Sequence, residues 1–367
     1  MKIAIAGDYF VENPEAVNVS DDVISLLASC DYRLVNFEGP IDDGKEHRIR
    51  KSGPCLKQPS STINILKQLG IDALTFANNH ILDQGVEGFT FTKRILRDFC
   101  LVGAGNWEEA YTPAVIDIGG TKIGFLNFSE MQFGMLFDKW TQGEDAIGCA
   151  WVNHPMADEL IRKTRSEVDI LITIVHAGVE MIDVPLPEWR DRYRQMIDLG
   201  CDAVIAHHPH VVQGYEIYKE KPICYSLGNF CFSKSEGKEN SEWYRGAIAV
   251  LSINNNKVKL DFWGCKFQNG LLQLEDREIW RRITEELCSY LDKGNYMQRV
   301  NDSCQRQMKD YWELFAMGGV IAPEAFSLKN IARFPLHKYD HVHLLNNLQC
   351  ESHCWCISRV LRNKIGE

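Results

Sequence analysis

Along the first 270 residues two hydrophobic rhythms alternate: short unbroken apolar runs, and runs in which every third or fourth position is apolar. The first reads as strands buried on both faces, the second as helices packed on one side. Strands are predicted at Lys2 to Ala6, Arg33 to Phe37, Ile71 to Ala77, Leu101 to Gly103, Val168 to Val175, Asp202 to Ala206 and Pro222 to Leu227. Helices fall between them. One opens at Ser20 with Val23, Ile24 and Leu27 on a face, and another at Ser60-Ser61-Thr62 with Ile63, Leu66 and Leu69, closed by Gly70. Others run from Val86 to Phe99, after Pro155, and from Pro187 to Leu199-Gly200, with proline in the first turn and glycine at the end.

This alternation is the mark of parallel βα units, hence an α/β fold. Two antiparallel pairs make the sheet arrangement mixed: Ala114 to Ile118 with Lys122 to Phe128 around Gly119-Gly120, and Ala247 to Ile253 with Val258 to Phe267 around three asparagines. From Glu275 the period is helical, with two or three helices to Ala316 and one from Val342 to Arg362. The expected division is residues 1–270 as the α/β domain and 271–367 as a mainly helical C-terminal module.

Composition narrows the function classes. With 367 residues and 45% hydrophobic content the chain can bury a large core. A net charge of −10 argues against a general nucleic-acid binder, which needs surplus Lys and Arg for phosphates. No run approaches the roughly 20 apolar residues of a membrane span. The N-terminus is interrupted by charge too early for a signal peptide. Thirteen cysteines without a framework spacing point to reduced thiols, and a cytoplasmic location is expected.

Candidate chemistry lies where the strands stop. Asp8, Glu38, Asn79, His176, His208 and His210 each stand at or just past the end of a separate strand or turn. Singly each has a bland reading: Asp8, Glu38 and Asn79 as turn formers, His176 as a core histidine, and the histidines around Pro209 as surface loop. Together they supply carboxylates, an amide oxygen and imidazoles, the ligands of a pair of divalent ions of manganese, iron or zinc. His207 is left as a supporting residue, as are Glu180 and Asn229. The basic run His47-Arg48-Ile49-Arg50-Lys51 is either a solvated loop or an anion clamp. Cys350 and Cys354 share a helical spacing but match no established zinc pattern, so they are read as core cysteines.

In order, Gly7-Asp8, Asn36-Phe37-Glu38, Ala77-Asn78-Asn79-His80 with Asp83 and Gly85, His176 to Glu180, His207 to Gln213 and Tyr225 to Phe230 make a specific set. With it the chain resembles the CapA (poly-γ-glutamate capsule biosynthesis) family, a branch of the calcineurin-like metallophosphoesterase superfamily, over roughly residues 1–255. The resemblance implies a four-layer α/β/β/α metallophosphoesterase-like sandwich carrying two metals between loops at the sheet edge. Asp8 would hold the first metal, Glu38 would bridge, Asn79 and His176 would hold the second, and His208 and His210 would complete the two spheres. His80 occupies the place of the catalytic histidine, oriented by Asp83. Arg50 and Lys51 would bind an anionic group of substrate. The superfamily's histidine two residues after the aspartate is Phe10 here, which removes one ligand from the first metal.

The implied function is a metal-dependent hydrolase acting on a phosphoester or an anionic polymer in capsule, exopolysaccharide or poly-γ-glutamate biosynthesis, with capsule-synthesis proteins as partners. The alternative is a non-catalytic assembly factor for the same synthesis complex. Phe10 favours the second, and the retained His80 and Asp83 favour the first.

Overall fold

The computed structural model describes residues 1–233, 241–292, 294–317 and 341–366. Two sheets face each other. The first runs in the order Asn18–Val19, Leu271–Leu274, Lys257–Gln268, Arg245–Asn254, Lys2–Phe10, Tyr32–Phe37, Ala73–Thr75 and Cys100–Val102. The second runs Tyr215–Tyr218, Lys221–Cys224, Ala203–His207, Ile170–His176, Thr121–Ser129 and Ala114–Ile118. Between them lies a core of Ile3, Ile5 and Leu34 from one sheet and Phe125, Ile170, Ile172, Ile174 and Ile205 from the other.

Each outer face is covered by helices. Asp21–Ala28, Thr62–Gln68 and Gly85–Ile95 bring Val23, Leu66 and Phe89 onto Val35 and Leu74 of the first sheet. Pro155–Arg165 and Pro187–Leu199 bring Ile161, Trp189 and Met196 onto Leu171, Val175 and Val204 of the second. The result is the expected four-layer α/β/β/α sandwich. The strand Ile170–His176 illustrates why its sequence is uninterrupted in apolar residues: even positions face the inner core and odd ones the helical layer.

The first strand does not stop at Gly7 but continues to Phe10. Its inner half pairs antiparallel with Arg245–Asn254, and where that partner leaves, Asn229–Phe232 takes over in parallel, pairing Asp8 with Asn229 and Phe10 with Phe232. Gly7 therefore serves close approach and not a turn: a Cβ there would lie 2.2 Å from the Gly228 carbonyl oxygen. The predicted strand from Pro222 to Leu227 is, by contrast, shorter, Lys221–Cys224, with Asn229–Phe232 belonging to the opposite sheet.

Beyond residue 270 one more strand, Leu271–Leu274, pairs with Lys257–Gln268 before the helices begin. Arg277–Ser289 seats Trp280 against Phe262. Tyr296–Met317 and Glu351–Ile365 place Val300, Cys304, Cys356 and Val360 in the core shared with Trp189 and Tyr193. The single helix expected from Val342 to Arg362 is two, His341–Gln349 and Glu351–Ile365. Cys350 between them is fully buried and extended, because its thiol and the Ser352 N–H both turn to the carboxylate of Glu130.

Candidate metal centre

The carboxyl ends of the central strands of both sheets open on one edge, and the polar residues gathered there come from loops that strand geometry holds rigid. Asp8 lies in the outer half of Lys2–Phe10, Glu38 directly after Tyr32–Phe37, His176 at the end of Ile170–His176, and His208 and His210 just past Ala203–His207. The loop carrying the last two is contorted, with φ of 100° at His208 and 57° at His210. Non-glycine residues held in that region cost on the order of 1–3 kcal/mol each, and such strain clusters at functional sites.

Asp8, Glu38, His176, His208 and His210 are buried, and Asn79 is half-buried. Asn36 Nδ2 donates to Asp8 Oδ1 at 2.8 Å and lies 3.2 Å from His176 Nδ1, while its Oδ1 accepts from Asn78 Nδ2 at 3.2 Å. His210 Nδ1 donates to Asn229 Oδ1 at 2.9 Å, and Asn229 Nδ2 donates to the Trp243 carbonyl, which fixes the ring with Nε2 toward Glu38 Oε1, 3.6 Å away. His176 Nε2 is 3.0 Å from Asn79 Oδ1 and 3.1 Å from His208 Nδ1.

Two buried carboxylate oxygens without a hydrogen-bond partner among the described residues, Asp8 Oδ2 and Glu38 Oε1, lie 3.5 and 3.6 Å from the ring nitrogens of His210. Orphaned buried carboxylate oxygens are expensive unless a cation meets them. Asp8, Glu38 and His210 bring ligand atoms within 4.8 Å of one another, and so do Glu180, His208 and His210. Neighbouring ligands bound at about 2.0–2.2 Å to a common ion stand roughly 3.0–3.5 Å apart, which is the spacing of the His176, Asn79 and His208 contacts. The donor set therefore fits divalent ions.

Electrostatics agree. Burial, then the adjacent Asp8, pushes the Glu38 carboxyl well above the usual range. Burial and the neighbouring imidazoles of His208 and His207 hold His176 far below the ordinary histidine value, and burial takes His208 to about 3. Both rings are thus neutral, the state that binds metal.

His80 stands beside this centre. Its Nδ1–H donates to Asp83 Oδ2 at 2.6 Å, leaving Nε2 directed to the Glu38 side at 3.8 Å. Lys51 Nζ donates to Asp83 Oδ1 at 2.6 Å and to the Asn79 carbonyl at 2.9 Å. Lys51 is thus committed to holding the His80–Asp83 pair, whereas Arg50 is exposed and not among the residues lining the adjoining cleft. Phe10 packs on Phe232, and that ring and Trp243 form an apolar wall at 5.0 and 4.9 Å from His210. His207 Nε2 donates across to the Ala6 carbonyl and ties the two sheets together.

Three participants escape sequence reasoning. Asn36 was visible only as part of its motif. Glu180, read as a supporting residue, carries its carboxylate into ligand range. Glu130, fully buried, has Oε1 3.5 Å from His208 Nε2 and accepts from the Gly178 N–H. Burial, then Glu351, pushes its carboxyl up to about 8. It stands just past the strand Thr121–Ser129, so the strand-end rule that found Asp8 and Glu38 also reaches it.

The model of the family described as "Bacterial capsule synthesis protein PGA_cap" matches residues 3–234. The chain belongs to this family. It is 29% identical over 302 residues to the capsule biosynthesis protein CapA of Bacillus anthracis, covering 77% of this chain and 70% of the relative. The PGA biosynthesis protein CapA of Bacillus subtilis is 27% identical over 226 residues, 61% of this chain and 59% of the relative. A probable polyglutamine synthesis accessory protein of Mycobacterium tuberculosis is 27% identical over 233 residues, 61% of each chain. No helix among the described residues is long and apolar enough to cross a membrane.

Proposed function

We propose that this member of the capsule synthesis family is a metal-dependent hydrolase with a two-metal site, working on an anionic polymer or phosphoester in the making of poly-γ-glutamate or a related capsule polymer. One observation carries the reading: two orphaned buried carboxylate oxygens, of Asp8 and Glu38, meet at His210 beside a histidine already oriented by a buried aspartate. In this reading residues 1–270 carry the centre, and 271–367 form a module packed beside it. The thirteen free thiols support a reducing, cytoplasmic setting.

Asp8, Glu38 and His210 would hold one ion, and Glu38, Asn79, His176 and His208 the other, with Glu180 in reach. When bound, two such ions lower the pKa of water and neutralise charge developing on the electrophile. The chain's own contributions are positional. Asn36 and Asn229 set the orientation of Asp8 and His210. Asp83 and Lys51 fix His80 with Nε2 free, so Nε2 is the atom that holds or hands over a proton beside the scissile bond. The apolar wall of Phe10, Phe232 and Trp243 keeps water away from the His210 side.

The test is metal per chain by elemental analysis of protein purified without chelator, with a Glu38→Ala variant and turnover assays on a phosphodiester and on γ-linked oligoglutamate. Two metals, reduced in the variant, together with metal-dependent turnover are expected. Absence of metal even after loading with manganese or zinc refutes the reading. A second reading, an assembly factor without catalysis, is favoured by Phe10 in place of a ligand. It predicts metal binding with no turnover of either substrate class.

A further inference from the structure

Next to the centre lies a cleft of about 180 Å³ whose lining joins Asn79, His80 and Glu180 to residues of the C-terminal helices, among them Asn346 and Asn347. Those helices are fastened to the α/β layers. Trp189 Nε1 donates to Ser352 Oγ at 2.7 Å, Trp151 Nε1 to Glu351 Oε1 at 2.7 Å, and the Met131 N–H to Glu351 Oε2 at 2.6 Å. The wall they present is therefore fixed in place.

Its chemistry is polar: beside His343 and His353 it carries carboxamides. Gln132, Asn346 and Asn347 are all more than nine-tenths buried and line the same cleft. Gln132 directs its Nε2 at the Cys350 sulfur, which leaves its carbonyl oxygen for another donor. Asn346 Oδ1 is buried with no partner among the described residues. The lysine of the lining is bound to Asp83, and the carboxylate there, Glu180, would repel anions. A buried carboxamide without a partner is destabilising, and a ligand offering both a donor and an acceptor removes that cost. A secondary amide is such a ligand, while carboxylates or phosphates satisfy only the donors.

We propose that Asn346 and Asn347, with Gln132, form a substrate-binding wall that hydrogen-bonds the secondary amide linkages of a polymer chain whose reacting bond lies at His80. This rests on the hydrolase reading for the position of the reacting bond and makes the C-terminal helices part of the specificity site.

Manganese-loaded full-length protein is titrated calorimetrically with a short γ-linked oligoglutamate and with its ester-linked analogue, which keeps every carboxylate and loses the amide N–H groups. The amide oligomer is expected to bind about tenfold more tightly, the worth of about one well-made hydrogen bond. Asn346→Leu and Asn347→Leu should each erase that preference while metal content stays at the wild-type level. Asn346→Ser, which is smaller and polar, guards against misfolding and should reduce the preference too. Equal binding of the two oligomers overturns the proposal, as does an undiminished preference in the variants or its loss only together with the metals. Hydrolysis of a simple phosphodiester, measured in parallel, separates the readings. Preference without any turnover removes the hydrolase and leaves the wall, and turnover without preference does the reverse.

Discussion

Glu38→Gln should make the metal-free protein more stable and the metal-loaded protein less so. In the metal-free state Glu38 Oε1 is buried without a partner beside the equally orphaned Asp8 Oδ2, and its carboxyl is pushed well above the ordinary range. A raised folded-state pKa favours folding below the unfolded value of about 4.5, and that advantage is lost as pH rises through the folded value. At neutral pH, above the unfolded value, burying Glu38 is therefore a burden. Neutralising it with an isosteric amide should recover about 1–3 kcal/mol, the desolvation cost of an unsatisfied buried group. For a chain of this size that is a rise of a few degrees in Tm, because about 1 kcal/mol moves Tm by roughly 2–4 °C even in smaller domains. Wild-type protein in manganese or zinc at a hundred times Kd should gain about 2.7 kcal/mol, and the variant little of it. Differential scanning calorimetry of both proteins, with chelator and with metal, reads the four states. The argument fails if the chelated variant is less stable than chelated wild type, or if metal stabilises both equally. Either result would make Glu38 part of a satisfied structural network.

Lys51→Ala should cost about 2–4 kcal/mol, because it leaves the buried Asp83 with one carboxylate oxygen uncompensated, while Arg50→Ala, on the exposed side of the same loop, should stay within about 0.5 kcal/mol; urea titration compares them. Gly7→Ala drives a methyl into the Gly228 carbonyl at 2.2 Å and should abolish soluble expression or cost more than about 3 kcal/mol, read by the same titration. Glu216 accepts from Arg190, from two nitrogens of Arg194 and from Tyr225. Burial opposes its charge, but these donors win and take its carboxyl to about 2. Its stabilisation is complete above the unfolded value near 4.5 and is lost as pH falls toward 2. Glu216→Gln should flatten that acid limb and, after allowance for solvent screening around the partly exposed Arg194, cost about 1–2 kcal/mol at neutral pH. A thermal-melt series from pH 2 to 7 would expose an unchanged limb, which would contradict the assignment.

The amino-acid sequence determined the layers. Unbroken apolar runs such as Ile170 to Val175 can be buried only between two apolar surfaces, and the amphipathic helices between them supply the outer ones. It also placed the chemistry at strand ends, because a carboxylate or imidazole following such a run must emerge at the edge of a sheet. What it left open depended on partners far away in the chain. Past Gly7 the first strand exchanges its antiparallel partner for Asn229–Phe232, and a pairing across more than two hundred residues leaves no local mark. The last helix breaks at Cys350 because Glu130 draws the chain inward, so a regular 3.6-residue rhythm gave no warning. Lys51 and Arg50 are neighbours with the same charge. Only the fold decided that one is buried on Asp83 and the other faces water, since helices, turns and loops fix where a backbone goes while a buried counter-charge fixes where a long cation ends. The C-terminal wall over the cleft has the same origin: asparagines at successive helix positions look like surface until another layer packs against them.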